Sequence, residues 1–281
     1  MNIAFMNWNV AGALSEEAKA RQLIHEISLR EPDVAIFPEA YNEGQEQFLD
    51  DAQAELSGGY KVSLTAYDDD DNRQDRRGMM ALVRHELSMY ETGGNVVRLA
   101  GRNALEHLIT SPESGQEVHV LGVHLNDRSG VKRGQEVDDL LDYLMLPTEP
   151  TVVHGDMNEV HFGSSRGLYF KVAGMIASSP KWLFPVGEPE SVNPKMSRAR
   201  IGSMAERLHE MSQGAVLQRL VDAGLRDADV LHQPTFNSKK PFAQLDHTLV
   251  SKSLIFKVKS FEVLPHHALS DHRATIMRTN L

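Results

Sequence analysis

Thr151-Val152-Val153-His154-Gly155-Asp156-Met157-Asn158 is a short apolar run that ends in a carboxylate and, two residues later, an amide. Its length and β-branched start read as a buried strand, with the polar groups at and just past its C-terminal end. The same construction recurs along the chain. Residues 3–10 read as a strand closing on Trp8-Asn9-Val10. Residues 33–37 form a short buried strand after Pro32, and Pro38-Glu39 follows at once. The run 118–124 closes on Val123-His124-Leu125. Nearer the end come Leu245-Asp246-His247 and Ser270-Asp271-His272. Polar side chains at several strand ends converge on one rim of a folded sheet, so this series predicts a site.

Between these strands the apolar spacing turns helical. Ser15-Glu16-Glu17 opens a helix to about residue 29, and further helices are expected over 45–56, 131–146 and 215–223, the second ending at Gly58-Gly59 and the last at Gly224. Strands are expected over 60–67, 79–84, 89–92, 95–99, 105–111, 248–250, 256–264 and 274–278, with Gly93-Gly94 and Ser114-Gly115 as turns. Consecutive short strands imply antiparallel hairpins. Alternating strand and helix in two halves, with hairpins between, predicts an α/β (α+β) fold: a four-layer α/β/β/α sandwich of two packed mixed sheets flanked by helices. Residues 160–215 carry Pro180, Pro185, Pro189 and Pro194 and a helical pattern over 204–211. They read as an elaborated insertion within one domain, 1–281, because they lack the pattern for a core of their own. Asp68 to Asp71, followed by Arg73, Arg76 and Arg77, reads as a solvated loop or as a substrate-facing loop whose arginines touch phosphate.

Composition narrows the function. A hydrophobic fraction of 41% and a charged fraction of 24% place the chain among soluble globular proteins. A net charge of −10 argues against a passive nucleic-acid coat, which needs a basic face, but leaves room for carboxylates around a metal. There is no cysteine, hence no disulfide and no thiolate metal site. No apolar run approaches the ~20 residues that span a bilayer, and the start Met1-Asn2-Ile3-Ala4-Phe5 lacks the basic flank of a secretory signal. These features lead us to expect a cytoplasmic protein without a transmembrane segment.

The rim residues suit phosphate-ester hydrolysis. That reaction needs a metal to polarise the phosphoryl and leaving oxygens, a way to deliver water in line, and donors for the developing charge. Hard oxygen ligands suit Mg²⁺ or Mn²⁺. Glu39, Asp156, Asp271 and the amides of Asn9 and Asn158 supply such oxygens, while His124 and His272 supply imidazole donors and Asp246 can orient one of them. Arg102 and Arg133 are candidates for phosphate contact or for surface ion pairs. His154 reads as a packed or surface residue. Of His266 and His267 at most one can face the site, which leaves zinc disfavoured.

In order from Trp8-Asn9-Val10 through Pro38-Glu39, Val123-His124-Leu125, Gly155-Asp156-Met157-Asn158 and Leu245-Asp246 to Ser270-Asp271-His272, the chain resembles the endonuclease/exonuclease/phosphatase superfamily, with the fold of deoxyribonuclease I. The resemblance implies that Glu39 is the main metal ligand, with Asn9 and Asp271 beside it. It further implies that Asp156 orients or activates water, that Asn158 helps hold the phosphate, that His124 contacts a phosphoryl oxygen, and that His272, paired with Asp246, acts as base or transition-state stabiliser. One metal or two, and which group is the base, stay open. Ala11 stands where abasic-site relatives often carry Asp or Asn, His124 where they usually carry Tyr, and Phe242-Ala243-Gln244-Leu245 lacks their Trp-Arg. Val-His-Leu is more similar to the branches holding deoxyribonuclease I, sphingomyelinases, tyrosyl-DNA phosphodiesterases and phosphatases. The expectation is therefore a metal-dependent phosphoesterase cutting phosphodiesters, foremost in DNA or RNA. The alternatives are a phosphatase or phospholipase of the same superfamily, for which Trp182-Leu183-Phe184 is a candidate apolar contact, and a non-catalytic binding protein on the same scaffold.

Overall fold

Alternation along the first strand, β1 (Asn2–Asn7), sets the layering. Ile3 and Phe5 point to one side and join a cluster with Val118, Val120, Val152 and Val250; Met6 points to the other and joins Leu23 and Ile27. The structure is a computed structural model and describes residues 1–44, 48–65, 77–87, 94–127, 129–144, 149–159, 216–236, 244–265 and 267–281.

The other strands are β2 (Val34–Asn42), β3 (Tyr60–Leu64), β4 (Arg77–Arg84), β5 (Asn95–Arg98), β6 (Asn103–Thr110), β7 (Glu117–His124), β8 (Thr151–Asp156), β9 (Leu225–Asp227), β10 (Asp246–Ser251), β11 (Val258–Val263) and β12 (Thr275–Asn280). Among the described residues they make two six-stranded sheets, in the orders β11-β12-β1-β2-β4-β3 and β5-β6-β7-β8-β10-β9. Each sheet is mixed: β1 pairs parallel with β2, and β7 parallel with β8. Helices α1 (Glu17–Arg30) and α2 (Leu49–Leu56) cover the outer face of the first sheet. Helices α3 (Gly130–Leu144) and α4 (Val216–Asp222) cover the second. A one-turn helix, α5 (Lys252–Ile255), joins β10 to β11. The result is the expected four-layer sandwich.

The face between the sheets changes character along the strands. At one end it is Ile3, Val118, Val152 and Val250. Two to six residues further along the same strand faces it becomes Asn7, His124, His154, Asp156, Thr248 and Asp246, all buried. Burying that many polar groups is tolerated only where they bond one another or a ligand. Two glycines allow the close approach. A Cβ on Gly122 would lie 2.8 Å from Ile36 of the opposite sheet, and one on Gly155 would lie 1.9 Å from the Val123 carbonyl oxygen on the neighbouring strand.

Several elements differ from the sequence reading: β2, expected over 33–37, runs on to Asn42 through its bulge, and β10, expected over 248–250, spans Asp246–Ser251. The first strand, expected to run to Val10, stops at Asn7, although Trp8 and Val10 still donate to the carbonyls of Ile36 and Pro38 before the chain turns at Ala11 with φ 48°. Strand 256–264 begins instead at Val258, since Lys252–Ile255 is helical and Phe256 caps it in solvent. The three-residue β9 was not foreseen: it is too short to show a period. The expected strand 89–92, the loop from Asp68 to Asp71 with Arg73 and Arg76, the insertion 160–215 with its Trp182-Leu183-Phe184, and His266 lie outside the described residues. No described helix is long and apolar enough to cross a membrane.

Candidate active site

The polar rim is built by both sheets. Asp246 opens β10 in the second sheet, and His272 precedes β12 in the first. The His272 imidazole donates from Nδ1 to Asp246 Oδ2 at 2.8 Å, and its Nε2 faces Asp156 Oδ2 at 3.7 Å. The donor atoms of these three buried residues all lie within 4.8 Å of one another, close enough to hold a metal ion. Burial opposes the imidazolium. The charges of Asp246 and Asp156, with the hydrogen bond to Asp246, outweigh it and push the His272 pKa up to about 9. The reverse balance separates the acids. Burial raises Asp156 above the usual carboxylate range, whereas for Asp246 the charge and hydrogen bond of His272 overcome burial and hold it below that range.

The Ser-Asp-His turn is fastened to the end of β1. Ser270 Oγ donates to the Asn9 carbonyl at 2.6 Å and accepts from the His272 N–H at 3.0 Å. Trp8 Nε1 donates to the His272 carbonyl at 3.1 Å. On the other flank Thr235 Oγ1 accepts from the N–H groups of Leu245 and Asp246, and the Phe236 ring lies edge-on to His272, centroids 5.1 Å apart.

Asp156 is held on both oxygens. Asn9 Nδ2 donates to Oδ2 at 2.9 Å, and the Asn158 N–H donates to Oδ1 at 2.9 Å. Asn158 in turn donates from Nδ2 to the Leu125 carbonyl, which ties the end of β8 to the end of β7. Asn9 Oδ1 accepts the Ala11 N–H at 3.1 Å. Ala11, Glu39 and Asn158 all have φ near 50°, a conformation that costs non-glycine residues energy and tends to cluster at functional sites.

Glu39 sits on a bulge in β2. Between the pairs Phe37↔Met80 and Tyr41↔Gly78 the strand carries two residues more than β4, and the excess swings Glu39 off the ladder. Gly78 is needed opposite, because a Cβ there would lie 2.2 Å from the Tyr41 ring. Glu39 Oε1 meets His124 Nε2 at 3.3 Å, and Oε2 is paired with the Arg77 guanidinium. Arg102 Nη1 lies 3.2 Å from His124 Nδ1. A guanidinium only donates, so Nδ1 accepts and the ring proton sits on Nε2, toward Glu39.

The two candidate phosphate arginines lie below the surface. Arg102 is locked between His124 and Asp127 Oδ1, at 3.0 Å from the latter. Arg133 is enclosed by the packing of α3 and donates to the Asn126 carbonyl at 2.8 Å. Both shape the loop after β7. Asp271 is exposed beside His272. His154 is packed between the sheets, bonded to Thr248 Oγ1 at 2.6 Å. His247 is buried between Asp227 and the Glu159 carbonyl. His267 lies edge-on to Trp8 and meets Glu26 on α1. The sequence reading missed Asn7, whose Nδ2 donates to Asp246 Oδ1 at 3.3 Å. Its place two residues before Asn9, on the same strand face, was the available signal.

The pattern of the Endonuclease/Exonuclease/phosphatase family matches residues 6–272, from the end of β1 to His272. The chain belongs to this family. None of the curated proteins matches it. Among solved structures, an endonuclease/exonuclease/phosphatase family protein from Leptotrichia buccalis is 15% identical with TM-score 0.63, the alignment covering 99% of this chain and 100% of that one. The human Nocturnin catalytic domain with bound sulfate is 17% identical, TM-score 0.60, covering 99% and 93%. D. rerio TDP2 complexed with a single-strand DNA product is 14% identical, TM-score 0.60, covering 100% and 99%. At these identities the likeness is one of fold, and the phosphoesterase assignment comes with the family.

Proposed function

We propose that the chain is a divalent-metal-dependent phosphodiesterase acting on nucleic acid, with Mg²⁺ or Mn²⁺ as its ion. The observation that carries this reading is the His272–Asp246 pair set against Asp156 at the rim between the sheets. His272, positively charged at neutral pH, is placed to stabilise the charge that develops on the phosphoryl group or leaving oxygen. Asp156, raised toward neutrality by burial and steered by Asn9 and Asn158, is the group to orient the attacking water. His124, with its proton on Nε2, donates to a phosphoryl oxygen.

The donors fit a hard cation. Glu39 is turned off its strand toward the rim, and both its oxygens already attract cationic or N–H donors. We assign the metal to Glu39 with Asn9 and Asp271 beside it, and the proton chemistry to Asp156, Asp246 and His272, because Asp246 and His272 spend their facing atoms on each other. When bound, the ion supplies charge to the phosphoryl oxygens and acidity to water. Nucleic acid is favoured as the substrate class because a relative of the same fold was captured with single-strand DNA product.

The test is hydrolysis of a panel by wild type and His272→Ala with Mg²⁺ or Mn²⁺. The panel holds single- and double-stranded DNA, RNA, abasic DNA, sphingomyelin, inositol phosphates and a generic phosphodiester. Nucleic-acid cleavage that vanishes in the variant supports the reading. Cleavage of lipid or inositol phosphate alone moves it to the phospholipase or phosphatase branch, and equal activity in both proteins refutes the role of His272. In parallel, a metal-dependent rise in melting temperature should vanish in Glu39→Ala.

A further inference from the structure

The Glu39 carboxylate has one oxygen on His124 and the other on Arg77, and the two partners differ in how deeply they are buried. His124 is buried and fixed from behind by Arg102, whose side chain is fully enclosed and also bound to Asp127. Arg77 is the first residue of β4, paired through its backbone with Asn42, and its side chain keeps 28% of its surface in solvent. One partner is built into the wall and the other lies nearer solvent.

We propose that Arg77 is a resident stand-in cation: it holds Glu39 Oε2 until a divalent metal arrives, and metal binding displaces it. The inference rests on the reading of Glu39 as metal ligand. Three observations converge on it. Glu39 is only 12% exposed and shares the rim with buried Asp156 and Asp246, so its charge needs a counter-ion whichever cation supplies it. A metal and a guanidinium cannot both sit against one carboxylate oxygen without strong repulsion. Among the described residues, the Arg77 guanidinium beside Glu39 keeps part of its surface in solvent, while Arg102 keeps none. The exchange also leaves a guanidinium at the mouth, where an anionic phosphodiester enters.

Exchange has a measurable cost in affinity. The apparent dissociation constant of the metal is its intrinsic value divided by the fraction of molecules in which Arg77 has let go. Removing the competing charge therefore tightens metal binding, a direction opposite to that expected when an ordinary supporting residue is lost.

The experiment is Mn²⁺ titration of substrate-free protein, followed by calorimetry and by the spin-resonance signal of free Mn²⁺, for wild type, R77M, R77Q, R77K and E39Q. Melting temperatures confirm that each variant is folded, and R77Q, neutral and polar, stands in if R77M is not. The expected result is binding about threefold to tenfold tighter in R77M and R77Q, with R77K near wild type because it keeps the charge. Unchanged or weaker binding in folded R77M and R77Q overturns the exchange. If E39Q binds Mn²⁺ as wild type does, or wild type binds none, the assignment of the metal to Glu39 fails and the exchange falls with it. If E39Q loses binding while R77M and R77Q are not tighter, the exchange alone fails.

Discussion

His272 and Asp246, 2.8 Å apart, belong to opposite sheets, so the hydrogen bond between them crosses the seam of the sandwich. It also ties the charge states of the two groups together. Asp246 is held ionised by His272, and His272 is held protonated by Asp246 and Asp156 despite burial. Replacing Asp246 by Asn keeps the shape and removes the charge. We expect Asp246→Asn to lower kcat by roughly a thousandfold, within the range seen when a carboxylate that orients a catalytic imidazole is neutralised. If protonated His272 is the active form, activity is lost as pH rises through about 9, and in the variant this alkaline limb moves down. A pH–rate profile of both proteins checks it, and an unmoved limb would assign the titration to another group.

Asn7 gives a finer probe of the same pair. It is buried and donates to the Asp246 oxygen that His272 does not use. Asn7→Leu keeps the volume and removes the donor, and a hydrogen bond to a charged group contributes about 1.5–3 kcal/mol. The expected outcome is a kcat reduced about tenfold or more, with KM little changed. Steady-state kinetics decides between this and a purely structural asparagine, whose loss would lower the melting temperature and leave kcat of the folded enzyme intact.

Two histidines pull the pH dependence of stability in opposite directions. Burial drives the His154 pKa down to about 4, against weaker opposing effects from the Met6 backbone and Asp246. Its folded value lies below its unfolded value, so its contribution is complete above about pH 6.5 and is lost as pH falls toward 4. His272, raised to about 9, contributes fully below about pH 6.5 and loses that contribution as pH rises through 9. Each is on the order of a few kcal/mol. Urea unfolding from pH 4 to 10 should give a maximum between the two limbs. His154→Asn should flatten the acidic limb and His272→Asn the alkaline one.

Gly155 precedes Asp156 by one residue and has no room for a side chain, since an added methyl would lie 1.9 Å from the Val123 carbonyl oxygen. That obstacle is backbone and cannot rotate away. Gly155→Ala should destabilise the fold by about 3 kcal/mol, at the upper end of overpacking effects, and should lower activity at temperatures where the protein remains folded. Thermal melts with parallel assays check both parts. A neutral result would mean that β7 and β8 separate more easily than their pairing implies.

Much of this architecture was legible because it rests on periods the chain displays openly. Strand-end polar residues such as Asp156 and Asn9 follow apolar runs of clear length, and both landed at the rim. What stayed hidden depends on relations between distant segments. The burial of Arg102 and Arg133 is decided by how α3 and the loop after β7 pack, and no local pattern separates a buried arginine from a phosphate-binding one. The bulge that turns Glu39 outward shows only when β2 is laid against β4. Short elements such as β9 carry too few residues for any period to emerge.

The inward face that passes from Ile3, Val118 and Val152 to Asn7, His124 and Asp156 has one more implication. Each sheet alone ends in a set of charges whose partners belong to the other: Asn9 answers Asp156, Asn7 and His272 answer Asp246, Glu39 answers His124. Neither sheet is a smaller version of the whole. The first sheet gathers β1 to β4 from one end of the chain and β11 and β12 from the other, around a second sheet drawn from the middle, so turnover itself would count the molecules whose two sheets have met in register.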